Sequence, residues 1–100
     1  MTPDDGHERL LGAIEALAAS ADTIQRRLEV AGITLLPLRR EDFNDPANGA
    51  FFETIISALT SVGDPGEHGD LALSTFAMSE ETAVKVAGMI VELHRRVFPW

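Results

Sequence analysis

Apolar positions in the first third of the chain keep a helical rhythm. Leu10, Ile14, Leu17, Ala21, Ile24, Leu28 and Ala31 follow one another at alternating spacings of four and three residues. That is the a/d seam of a heptad, which a helix presents as one narrow stripe. Thr2, Pro3, Asp4 and Asp5 precede it with cap, first-turn proline and acids suited to the positive end of the helix dipole. Gly32 follows as a left-handed stop, with Ile33 as the apolar residue beyond it. The pattern predicts one continuous helix over 3–31, about 42 Å long at about 1.5 Å per residue. A compact chain of this size is roughly 35 Å wide, so such a helix would overhang its own domain.

A second helix is predicted over about 46–62. Asp45-Pro46 starts it, Phe51, Phe52, Ile55, Ile56, Leu59 and Val62 form its apolar face, Gly49 weakens its first turn and Gly63 ends it. A third runs from the Ser79-Glu80-Glu81 start to about Val97. It carries one face of Ala83, Val86, Ala87, Ile90, Leu93 and Val97, and a second of Val84, Val91 and Phe98 at seven-residue spacing. A helix apolar on most sides has to be covered on most sides. Between the helices, 33–38 is apolar but interrupted by Pro37 and reads as an extended link. Residues 71–78 alternate with both faces fairly apolar, so strand and buried helical turn are both open there. The expected fold is mainly α: a long N-terminal helix and two shorter ones in a small bundle, with short extended links near 33–38 and 71–78. The alternative is a small α+β fold with two short strands at those links. One helical domain over 1–100 is expected.

Charge changes the picture of the surface. The formal net charge is −8, and no Lys or Arg occurs between Arg40 and Lys85, where nine carboxylates from Glu41 to Glu81 fall. Such a surface repels phosphate backbones and disfavours direct nucleic-acid binding. It suits a basic protein partner. The chain has no cysteine, which removes disulfides and thiolate metal sites and fits a reducing, cytoplasmic setting. No basic, apolar leader opens the sequence, and no apolar run approaches the roughly 18 residues that span a bilayer.

Catalytic signatures are missing. There is no His-Glu-x-x-His, Gly-x-Ser-x-Gly, P-loop or dinucleotide fingerprint. Residues 42–53 fail as a calcium loop, because with Gly49 in the glycine position Pro46 takes a ligand position and Ile55 the closing one. Asp64, Glu67, His68 and Asp70 gather oxygen and imidazole groups in the Gly-rich loop 63–70 and are weak candidates for a metal. His7 lies on the seam and His94 on the core side of the third helix, places where structural or interface roles are usual.

The reading is a non-enzymatic interaction module without cofactor, a helical homodimer whose interface draws on Leu10, Ile14, Leu17, Ile24, Leu28, Val84, Val91, Phe98 and Trp100. Two alternatives stand beside it. One is a small acidic regulator docking on a basic face of another protein. The other is a small-ligand or metal-binding protein using the 63–70 loop.

Overall fold

The heptad seam does not run straight. In the structure, a computed structural model that describes residues 3–19, 21–61 and 71–97, the predicted long helix is two. Helix α1 spans Pro3–Ala19 and α2 spans Ile24–Leu35. Ala21–Thr23 between them are not helical. The reason is local. Thr23 takes an extended ψ of 158° and its hydroxyl accepts from the Arg26 N–H at 3.2 Å, capping α2. Short polar side chains at such positions offer the backbone a bond that competes with helix continuation.

The two halves fold back on each other. The Arg9 guanidinium donates to the Thr34 carbonyl at 3.3 Å, and Gly12 faces the Thr34 side chain. At the other end, Arg27 donates to the Leu17 carbonyl at 2.8 Å and to the Asp22 carbonyl at 3.1 Å. The helices are therefore antiparallel, and Arg27 satisfies the Leu17 carbonyl, which the end of α1 leaves without a helical donor, together with the Asp22 carbonyl of the link. Leu10, Ala13 and Leu17 of α1 join Leu28, Ala31 and Leu35 of α2 in the core. At about 25 Å, α1 fits within the 33 × 32 × 19 Å of the fold and does not overhang it.

Gly32 is not a stop. Helix α2 continues through it to Leu35, and the Leu36 and Leu38 N–H groups close the end on the Gly32 and Leu35 carbonyls. The expected extended link at 33–38 is thus helix and turn up to Pro37. A Cβ on Gly32 would stand 2.7 Å from Leu71, so the glycine marks a close helix approach.

A 3-10 turn at Arg40–Asp42 leads to α3, Pro46–Leu59, capped by the Asp45 carboxylate on the Ala47 N–H at 2.9 Å. Gly49 lies against this turn: a Cβ there would meet the Arg40 side chain at 2.8 Å and its carbonyl oxygen at 2.9 Å. Val62 and the predicted stop at Gly63 fall outside the described residues. Residues 71–78, where the pattern allows strand or helix, form α4 over Leu71–Ala77. It runs antiparallel to α2, with Leu71 at Gly32 and the Met78 carbonyl accepting from the Gln25 amide at 3.1 Å. The last helix, α5, spans Glu80–Val97 as expected, and the Ser79 hydroxyl caps it by accepting from the Thr82 N–H at 3.1 Å.

The fold is an all-α bundle, with no strand among the described residues. Helix α5 packs on α1, α2 and α3 through Ala83, Val86, Ile90 and Leu93. Phe52, Ile55 and Leu59 close the core from α3. Phe43 stacks on Phe52 at 5.0 Å between centroids, and the Arg96 guanidinium lies 4.2 Å over the Phe51 ring.

Two substitutions test this packing. Arg27→Ala is expected to lower unfolding stability in urea by roughly 1–2 kcal/mol, since it leaves two carbonyls at the hairpin without their charged donor. Gly49→Ala is expected to cost about 1–3 kcal/mol by overpacking against backbone that cannot rotate away, read as a lower denaturation midpoint at unchanged slope.

Candidate interaction surface

Three of the nine residues expected at an interface lie inside the chain's own core. Leu10, Leu17 and Leu28 are buried by the α1–α2 hairpin and its contacts with α3 and α5. Ile14 and Ile24 are half-buried at the edge of the same cluster. The stripe expected to pair two chains is used up within one copy, because folding back gives each half the other as cover. Val84 and Val91 remain on the surface, at 56% and 42% exposure. Phe98, Trp100 and the loop candidates Asp64, Glu67, His68 and Asp70 lie outside the described residues, as does the side chain of His7. Among the described residues no group of three or more His, Asp and Glu is placed to hold a metal ion. No described helix is long and apolar enough to cross a membrane.

Val84 and Val91 sit two turns apart on the outer face of α5 with Gly88 between them. A Cβ on Gly88 would meet nothing within 4 Å. Glycine inside a helix costs about 1 kcal/mol relative to alanine, and here no contact within the described chain needs the missing side chain. The ends of the same helix carry opposite charge: Glu80 and Glu81 in the first turn, His94, Arg95 and Arg96 in the last.

A second surface has no counterpart among the sequence expectations. Helix α4 is inside out. It buries Ser74 and Thr75 and exposes Leu73 at 53% and Phe76 at 85%. The Thr75 hydroxyl donates to the Leu71 carbonyl at 2.9 Å, which offsets the cost of its burial. Beside Leu73 and Phe76 a groove of about 520 Å³ runs between α4 and α2, its far wall formed by Thr23, Gln25, Arg26 and Glu29. Arg26 and Glu29 form an ion pair on that wall. The sequence carries a signal for this face. Read with helical rather than alternating period, Leu71, Ser74, Thr75 and Met78 share one side, and Ala72, Leu73 and Phe76 the other.

Two smaller hollows are occupied by local structural roles. One of about 220 Å³ lies among Leu10, Phe43, Val97, Asp42, Asp45 and Arg96. Its carboxylates already serve the backbone, Asp42 accepting from the Arg39 N–H at 2.7 Å and Asp45 capping α3. The other, about 320 Å³, is flanked by the exposed Arg40–Glu53 pair at 3.1 Å.

Comparison with protein-family models, with curated proteins and with solved structures finds no match to this chain.

The exposure of Phe76 sets an expectation. Phe76→Ser changes unfolding stability by no more than about 0.5 kcal/mol, while Phe52→Ala, in the core, costs about 3–5 kcal/mol. Chemical denaturation of the two variants side by side reads the difference.

Proposed function

We propose that this protein is a non-enzymatic interaction module that self-associates as a homodimer through the outer face of α5. The observation that carries the reading is the self-complementarity of that face. An antiparallel pairing centred between Ala87 and Gly88 sets Val84 against the partner's Val91. The same register sets Glu80 against the partner's Arg95, with Glu81 one residue further along the first turn. Gly88 then allows the two helix axes to approach closely. A twofold interface needs this property, one patch that complements itself, and antiparallel helices also place opposite dipole ends together. Arg95 is three-quarters exposed and approaches Glu92 only loosely, at 3.9 Å, so it can turn toward a second copy. The valine stripe supplies apolar area, and the charges set register more than affinity.

The solution mass tests this. Light scattering on a dilution series is expected to move from one chain mass of 10.8 kDa toward two as concentration rises through the micromolar range. Val84→Glu combined with Val91→Glu is expected to hold the mass at one chain throughout. Glu80→Arg with Glu81→Arg is expected to weaken pairing by like charge, and adding Arg95→Glu to restore it. A wild-type mass of one chain at every concentration ends the proposal.

A further inference from the structure

We propose that the groove between α2 and α4 binds a small uncharged molecule, an alkyl or aryl body with one hydrogen-bonding head. The inversion of α4 supplies the apolar floor. A seven-residue helix that hides two hydroxyl residues and presents a leucine and a phenylalanine to water leaves its largest apolar side chains without cover in the free chain. The trough beside them is fixed at both ends. At one, the Gln25 amide donates to the Met78 carbonyl at 3.1 Å; at the other, Leu71 closes on Gly32. Both walls are therefore held before any guest arrives, which lowers the cost of binding. Size selects a small molecule over a polypeptide. The volume of about 520 Å³ falls within the roughly 300–1,000 Å³ of small-molecule sites. Along α2 the lining from Thr23 to Glu29 rises only about 9 Å, and along α4 from Ala72 to Phe76 about 6 Å. That is less than two helical turns, too short to seat the several turns by which a partner helix is held.

Charge and hydrogen bonding select the rest. The charged side chains of the lining are Arg26 and Glu29, and they are paired with each other. The lining is therefore neutral. A charged guest would bring a third charge onto an apolar floor with no counter-ion left for it, while an uncharged one leaves the pair intact. Neutral polar atoms remain at the Thr23 end. The Thr23 hydroxyl oxygen accepts from the Arg26 N–H at 3.2 Å and keeps its own proton to donate. The Gln25 amide nitrogen is committed to Met78, and its carbonyl oxygen is left to accept. A hydroxyl or amide head meets both. Thr75 adds no competing group, because its hydroxyl is turned to the Leu71 and Ala72 carbonyls, at 2.9 and 3.2 Å. The apolar body of the guest then lies on Ala72, Leu73 and Phe76. The groove is separate from the α5 stripe, so its occupancy does not rest on pairing through α5.

Competition with a fluorescent probe tests the assignment. Uncharged N-phenylnaphthylamine is titrated with the full chain at physiological salt, where distant carboxylates are screened. It is expected to brighten on binding, and octanol is expected to displace it. Octanoate and octylammonium, the same alkyl chain with a charged head, are expected to compete at least fivefold more weakly. Phe76→Ser and, separately, Leu73→Ser are expected to weaken probe binding at least tenfold, with circular dichroism unchanged. Val84→Glu, on α5, is expected to leave it within twofold. Removing one member of the ion pair changes the preference: Arg26→Gln is expected to make octylammonium the best competitor of the three, and Glu29→Gln to make octanoate the best. Octanoate or octylammonium competing as well as octanol against the unaltered chain overturns the uncharged ligand. No brightening, or undiminished probe binding by both groove variants, overturns the groove.

Discussion

Leu10, Ala13 and Leu17 on one helix and Leu28, Ala31 and Leu35 on the next belong to a single apolar stripe that meets itself across an antiparallel hairpin. The rest of the bundle depends on that meeting. Once α1 lies along α2, the two present a joint surface broad enough to hold α5, and α3 closes the core from beside it. A straight helix over the same residues would leave the stripe on both halves facing water. The hairpin removes that exposure for a turn of a few residues, a small loop-closure cost set against several buried leucines, each worth about 1.5–3 kcal/mol. Thr23 and Arg27 make the bend specific, one by opening α2 and the other by closing the end of α1.

Helix α5 illustrates a small bundle that supplies fewer neighbours than a helix has apolar positions. Ala83, Val86, Ile90 and Leu93 find cover inside the chain. Val84 and Val91 point the other way, beside a glycine that no contact within the described chain requires. The arrangement separates the two kinds of apolar residue by direction on one helix. The inward set holds the fold, and the outward set is available for association without unfolding anything.

Helix α4 departs from amphipathic logic more sharply. Its inner side carries the buried Ser74 and Thr75, and its first residue, Leu71, approaches α2 closely at Gly32. The Thr75 hydroxyl is bonded back to the Leu71 carbonyl of its own helix, which lets it sit inside without an orphaned polar group. The larger Leu73 and Phe76 are turned outward.

The sequence by itself determined most of the local structure. Caps at Asp45 and Ser79, the core faces of α3 and α5, the absence of recognisable catalytic motifs and the mainly helical character were legible, because caps and periodicity act over a few residues. The break at 21–23, the helical state of 71–77 and the fate of Leu10, Leu17 and Leu28 were not. A heptad stripe pairs as well with its own continuation as with a second chain, and its spacing is the same in both cases. Likewise, a seven-residue stretch apolar on both sides carries no period strong enough to choose a strand or a helix. Only the tertiary structure, by bringing residues far apart in sequence into contact, settled which apolar side chains are core and which remain outside.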